Sequence, residues 1–336
     1  MPQFGSGLIP AQGPIANELS AIVRRAYLPS VTVQIWKSAP MVAALMSSAH
    51  VASGGLSPIT APLQGNPMTS GQWIDYSGAF NQPANIPGIQ NAEFNLKGYC
   101  VPIPFLGMEG LVQVDYSIVP LIDARMNDAT NSTIDAFSTA LYTNVANTQQ
   151  MIGLPAAVDD GTFAATYGGV PRTNTFCRST YVHNASAATP TRNLILQYVS
   201  QTTKVTGEMP NMGVCGFATW TLLAQDFTPN ERYQINPADS MTSDSFVGHS
   251  SFKALDIAGV PVYADPYVPE GILYILNTNY MSLYIHERAA FDWTGFVSTL
   301  PNNQIGFIGA ILTLLELVTT KCRAHAKIDG LASLNF

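Results

Sequence analysis

The sequence predicts an α+β fold, and three observations carry it. A stripe of apolar residues at spacings of three and four runs from Val119 to Ile152, the signature of one long amphipathic helix. Strand-like runs rich in β-branched and aromatic residues follow at Val260–Ala264, Ile272–Asn277 and Met281–His286. The region from Asp159 to about Phe296 mixes helical and strand patterns, and the tail from Ile308 to about Ala326 reads as one long strand before Gly330.

Taken in order, Met1–Ser20 is rich in Gly, Pro and Ala without periodicity and reads as an arm. Glu18–Leu28 reads as a short helix ended by Pro29, Val31–Trp36 as a strand, and Pro40–Met46 as one or two further helical turns. From Ser53 to Gln90, glycines and prolines punctuate short strand-like pieces such as Gln72–Tyr76, and no Lys or Arg occurs between Val51 and Leu96. A stretch of this length without a packing stripe is uncommon inside a compact domain. It predicts a projecting two-stranded loop that packs on something other than its own domain, with Gln72, Trp73, Ile74, Tyr76 and Phe80 as its candidate contacts.

The helical stripe comprises Val119, Ile122, Met126, Thr130, Ile134, Phe137, Leu141, Val145, Thr148 and Ile152. Ile134, Phe137, Leu141 and Val145 form its predicted core face, and Asp128, Ser132, Asp135 and Asn147 lie opposite. Pro120 suits a first helical turn and Gly153 with Pro155 a stop. About 30 residues at 1.5 Å rise give a rod of roughly 45–50 Å. Beyond it, Asn193–Thr203 and Ala218–Phe227 read as helices and Val214–Phe217 as a strand. The implied division is 1–47 arm and short helix, 48–100 extended hairpin loop, 101–153 with the long helix, 154–296 a mixed unit with some shared strands, and 297–336 the last long strand.

Composition narrows the function. Charged residues are 11% of the chain, against roughly 25% in an ordinary soluble domain, while the hydrophobic fraction is 47%. Interfaces are depleted in Lys, Glu and Asp, so an uncharged polar surface suits a subunit covered by neighbours. A stable or secreted protein with an uncharged surface is the alternative. The formal net charge of −7 argues against tight phosphate-backbone binding. Cys100, Cys177, Cys215 and Cys322 form no CxxC pair and read as buried small hydrophobes in a reducing compartment. Cys322 and His325 have a metal-like spacing, but no second pair completes a zinc site. Residues 1–10 lack the basic start and apolar core of a signal peptide, and Ile305–Val318 is short for a membrane span and contains Glu316. A chain soluble and intracellular when made is expected, without a membrane partner.

No catalytic frame is intact. G-x-S-x-G, the P-loop and G-x-G-x-x-G after a strand are absent from the sequence. His286-Glu287 opens like a zincin helix, but Ala290 stands where the second His belongs. Asp159-Asp160-Gly161 reads as a turn rather than an acid pair. No cofactor is expected.

Three stretches resemble the major capsid protein of tailed bacteriophages, the Hong Kong 97-type fold. They are Asp159-Asp160-Gly161 with Tyr167-Gly168-Gly169-Val170-Pro171-Arg172; Gly259-Val260-Pro261-Val262-Tyr263-Ala264-Asp265 with Val268-Pro269-Glu270-Gly271 and Tyr274-Ile275-Leu276-Asn277; and Phe291-Asp292-Trp293-Thr294-Gly295. Their order also matches: arm, extended loop, spine helix, central domain, returning strand. The resemblance implies that 101–153 and the returning strand of 297–336 form a peripheral unit and 154–296, with some shared strands, an axial unit, and that the extended loop lies across a neighbouring subunit. The resemblance implies a shell subunit forming hexamers and pentamers around double-stranded DNA in the virion head, assembled in the host cytoplasm. Scaffolding and portal proteins, with decoration proteins in some members, are the implied partners. Arg24 and Arg25 are then candidate inner-face cations, with solvated or interface charges as the alternative. The chain as given begins at Met1 without a charged scaffolding segment, so scaffold is expected to be a separate protein or unneeded. The loop also lacks the Lys with which some relatives form intersubunit isopeptide bonds. Encapsulins, cellular shells around protein cargo, share the fold and stay open as a reading. So does a soluble enzyme or binding domain with a low-charge surface.

Overall fold

The computed structural model describes residues 39–52, 58–64, 73–74, 76, 78, 89–106, 118–143, 149–179, 181–227, 254–299 and 306–334. The helix expected at 18–28 and the strand expected at 31–36 lie outside them. Helix α1 (Pro40–Ser47) comes first, then strands β1 (His50–Ala52), β2 (Ile59–Gln64), β3 (Ile89–Phe94) and β4 (Lys97–Leu106). The long helix α2 (Ile118–Tyr142) and the single turn α3 (Leu154–Ala157) follow. Next come β5 (Thr166–Tyr167), β6 (Val170–Pro171), β7 (Tyr181–Ala188), α4 (Arg192–Thr206), β8 (Met212–Cys215) and α5 (Phe217–Phe227). The remainder is strand: β9 (Leu255–Ile257), β10 (Val260–Ala264), β11 (Leu273–Leu276), β12 (Met281–His286), β13 (Asp292–Trp293), β14 (Val297–Ser298), β15 (Gly306–Thr319) and β16 (Ala326–Leu331).

Strand β15 is the axis of the first sheet. On one side it pairs antiparallel with the whole of β4, from Gly306↔Leu106 to Leu315↔Lys97. On the other it pairs in turn with β14, β13 and β12, and β1 adds in parallel to β12. β4 carries Pro102 and Pro104, which cannot donate to a ladder, and it lies at the sheet edge where that is tolerated. From Leu315 to Thr319 every residue of β15 is buried, so this half is covered on both faces.

Helix α2 lies against β4. Its Met126, Thr130, Phe137 and Leu141 are buried and Ile134 is half-buried, while Asp128, Ser132 and Asp135 are exposed. Phe137 meets Tyr99 of β4 at 5.5 Å and Phe291 at 6.0 Å between ring centroids. Each such side chain contributes about 1.5–3 kcal/mol by leaving water. The helix is shorter than its apolar stripe suggests. It spans 25 residues and ends at Tyr142, and Ile152 lies outside it. Gly153 does not stop α2; it is the N-cap of α3.

The second sheet has the order β7-β16-β11-β8-β10-β9. Helices α4 and α5 cover it, with Ile195, Tyr198, Val199 and Leu223 packed on Val260, Val262, Leu273, Ile275 and Ile328. Thr191 caps α4 by accepting from Leu194 N–H at 3.4 Å. Glu270 serves α5 from outside the helix, its carboxylate accepting from the amides of Ala218 and Thr219 at 3.2 Å each. Anionic oxygens at these orphan amides also complement the helix dipole.

The single strand expected over Ile308–Ala326 is two strands in different sheets. β15 ends at Thr319, a 3-10 turn (Cys322–Ala324) intervenes, and β16 runs parallel to β7 and antiparallel to β11. Conversely β12 and β13, placed by the sequence in the 154–296 unit, belong to the first sheet. Cys100 is exposed, unlike the other three cysteines, because it falls on the outward face of β4 with Gly98, Pro102 and Pro104.

Candidate functional site

The Asp159-Asp160-Gly161 segment is a turn built around a buried carboxylate. Asp159 Oδ2 accepts from the amides of Gly161 (3.1 Å), Phe163 (3.1 Å) and Ala164 (2.9 Å). Arg172 is 2% exposed and lies beside it, with Nε 3.9 Å from Asp159 Oδ2. Its Nη1 donates to the carbonyls of Asp159 (2.6 Å) and Cys177 (3.0 Å), and its Nη2 to those of Ala156 and Ala157. One guanidinium fork thus gathers four carbonyls from three segments, a task its fixed planar donors suit.

Arg172 also stacks over Tyr167 at 5.1 Å. Tyr167 touches two other elements. Its hydroxyl accepts from Thr319 N–H at 2.9 Å, at the end of β15, and its ring meets Phe94 of β3 edge-on at 5.0 Å. Burial raises the Tyr167 hydroxyl well above its ordinary pKa, so it stays neutral. Gly168 accepts from Glu93 N–H at 2.8 Å and has φ +56°. A Cβ there would lie 2.6 Å from Ala92 Cβ and 2.8 Å from the Phe94 ring. The Tyr-Gly-Gly-x-x-Arg motif is therefore a clamp on the base of the β2–β3 hairpin, and only glycine allows that approach.

The hairpin pairs Ile59 with Phe94 through to Gln64 with Ile89. Ala61, Leu63, Ala92 and Phe94 face the core, while Thr60, Pro62, Asn91 and Glu93 face solvent. Between β2 and β3 in sequence, Trp73 (103%), Ile74 (55%) and Tyr76 (108%) are exposed. Trp73 and Ile74 have no strand pairing and Tyr76 sits in a turn, so the strand expected at Gln72–Tyr76 is absent at these three residues. Gln72, Phe80, Val145, Arg24 and Arg25 lie outside the described residues.

A cleft of about 530 Å³ opens between the C-terminal half of α2 and β4, lined by Lys97, Tyr99, Asp135, Phe137, Ala140 and Met151 among others. Asp135 at its edge accepts from the Tyr267 hydroxyl, tying α2 to the segment after β10. Two carboxylates lie deeper. Tyr142 at the end of α2 donates to Asp265 Oδ2 at 2.8 Å, and burial raises the Asp265 pKa. Glu316 accepts from Ile152 N–H at 2.7 Å, and burial pushes its carboxyl up to about 7. His325 is fully buried and accepts from Asn277 N–H at 3.2 Å through Nδ1; burial lowers it to about 3, so it is neutral.

These titratable groups bond to amides, carbonyls and hydroxyls of the fold and tie α2, the β15–β16 joint and the hairpin base together, while Asp159 Oδ1, Glu316 Oε2 and His325 Nε2 are buried without a hydrogen-bond partner. Of the residues singled out by sequence, the structure brings together Ile134, Phe137 and Leu141 under α2 and exposes Trp73, Ile74 and Tyr76 on the loop. Arg172, Asp265 and Glu316 were not legible as supports. Glu316 left one signal, a lone acid inside a long apolar run.

No protein-family model and no curated protein matches the sequence. Solved structures do. The cyanophage A-1(L) capsid subunit has a TM-score of 0.60 at 14% identity, covering 88% of this chain and 93% of that one. The capsid of the native GTA particle has a TM-score of 0.57 at 14% identity, covering 86% and 90%. The SrpI encapsulin of Synechococcus elongatus PCC 7942 has a TM-score of 0.51 at 12% identity, covering 85% and 86%. Nearly end to end, the chain has the Hong Kong 97-type α+β fold of phage capsid subunits.

Proposed function

We propose that the chain is a major capsid protein that self-assembles into the icosahedral head shell of a tailed phage around double-stranded DNA. One observation carries the reading beyond the fold: a hairpin clamped at its base presents Trp73 and Tyr76 with their full surface in water. Aromatic side chains bury about 150–250 Å² each when covered, which makes this projection a contact awaiting a neighbour. A charged fraction of 11% suits the same fate for the flanks.

In this reading residues 154–296 supply most of the axial unit, and the first sheet with α2 the peripheral unit. Hexamers and pentamers are the assembly units, with scaffolding, portal and in some shells decoration proteins as partners. Arg24 and Arg25 are the candidate inner-face cations, with solvated or interface charges as the alternative, and DNA is held without sequence preference. The role is structural, not catalytic. Among the described residues no helix is long and apolar enough to cross a membrane. The encapsulin likeness sustains a second reading, a cellular shell around protein cargo. Nuclease treatment of purified particles separates them. Protected double-stranded DNA extracted from inside supports the phage reading; DNA-free particles from an infected host, filled with one protein species, overturn it.

A further inference from the structure

The 3-10 turn Thr175–Cys177 packs against the 3-10 turn Cys322–Ala324, which joins the two sheets. Arg323 fastens them, donating from Nε to Thr175 O and from Nη2 to Thr175 Oγ1, both at 2.8 Å. Ser179 Oγ donates to Cys322 O at 3.1 Å, and Arg172 holds Cys177 O. Inside this joint lie two free, fully buried cysteines, one on each of the packed turns, each shifting the other's titration, Cys177 lowered and Cys322 raised. Cys177 Sγ also lies 3.9 Å from Val170 O. A cleft of about 390 Å³ lies over the joint, lined by Asp160, Thr175, Arg178, Ser179, Val205 and Arg323, which include chain neighbours of both cysteines.

We infer that Cys177 and Cys322 are an oxidisable pair that closes into an intrachain disulfide, locking the β15–β16 joint to the Arg172 clamp. The two turns that carry them pack together and are held by four hydrogen bonds, so closure needs only a local approach. The thiol of Cys177 is lowered by Cys322, against burial and with help from Arg172, which favours it as the attacking thiolate. The oxidant is hydrogen peroxide, for which the cleft offers an approach to Arg178 and Arg323, the chain neighbours of the two cysteines. Cys177 sulfur attacks one peroxide oxygen, the O–O bond breaks, and the departing oxygen leaves as water with the thiol proton. Cys322 sulfur then attacks the Cys177 sulfenic sulfur, the S–O bond breaks, and a second water leaves with the Cys322 proton. Two thiols are oxidised and one peroxide is reduced to two waters. In a reducing cytosol the pair stays open; outside it the bond forms and restrains a very long loop of the unfolded chain. The inference does not depend on the shell reading.

The test uses the unmodified full-length chain. Folded protein is treated with hydrogen peroxide, denatured with N-ethylmaleimide, digested without reductant and read by mass spectrometry. The expected result is a Cys177–Cys322 linked peptide with Cys100 and Cys215 alkylated. A melting midpoint raised by about 5–15 °C, reversed by dithiothreitol, should accompany it. Cys177→Ser and Cys322→Ser should each abolish both the peptide and the reversible rise. Recovery of both cysteines as alkylated or as sulfinic and sulfonic acids, or a disulfide to Cys100 or Cys215 instead, overturns the inference.

Discussion

Arg172→Met removes the guanidinium fork and leaves a stem of similar length. The carbonyl of Asp159 keeps a second donor, Ser179 N–H at 2.8 Å, and its carboxylate keeps three amide donors. The carbonyls of Cys177, Ala156 and Ala157 lose Arg172, and Asp159 loses its nearest cation while staying buried. Removing one partner of a buried charge pair costs about 3–5 kcal/mol. At about 2–4 °C per kcal/mol, the midpoint of thermal unfolding should fall by roughly 6–20 °C. Circular dichroism on the soluble subunit measures it. Because Tyr167 and Gly168 hold the hairpin through Phe94 and Glu93, limited proteolysis should also show earlier cleavage between residues 58 and 94. A midpoint within about 2 °C of the parent, with an unchanged cleavage pattern, would refute the clamp.

Leu141→Asp, at a position 1% exposed on the core face of α2, buries an unpaired charge at a cost of several kcal/mol; insoluble protein is expected, and soluble, assembling protein would contradict the phase assigned to the helix. Trp73→Ser with Tyr76→Ser should leave the melting midpoint unchanged and abolish particles in sedimentation; unimpaired particles would remove the loop tip from the contact. Glu316→Gln should change the pH dependence of stability. The Glu316 carboxyl stands at about 7 in the fold against an ordinary 4.5, so its protonated form stabilises the native state at low pH and that contribution fades as pH rises through about 7. His325, lowered to about 3, acts the opposite way below its ordinary 6.5, so the comparison must be variant against parent: relative to the parent, the Gln variant should gain up to about 3 kcal/mol between pH 5 and 8. A pH-independent difference in urea midpoints would show Glu316 to titrate normally.

Periodicity made the elements legible but not their ends. The stripe under α2 continues in sequence through Val145, Thr148 and Ile152, yet the helix stops at Tyr142 because the returning chain packs on its end. A Cβ on Gly153 would lie 2.7–2.9 Å from the carbonyls of Ala140, Leu141 and Thr143. Glycine there admits a backbone to the helix terminus, which a spacing rule cannot distinguish from a stop. The apolar run after Ile308 likewise reports burial without naming the sheet, and the change of sheet at Cys322–Ala324 is marked only by the polar stretch Thr319-Thr320-Lys321 with Arg323, which does not say where the chain goes next. The motif around Tyr167 and Arg172 was legible as a pattern. Its work was not, because the Phe94 ring and the Thr319 amide that it holds are distant in sequence. The exposure of Trp73, Ile74 and Tyr76 agrees with a run that has no Lys or Arg and no packing stripe, and so has nothing of its own to cover.

Electron microscopy of the expressed chain, alone and with its cognate scaffold, tests assembly most directly. Closed icosahedral shells built from pentamers and hexamers, with Trp73 and Tyr76 covered by an adjacent subunit, are the predicted result. Stable monomers under both conditions would contradict the account.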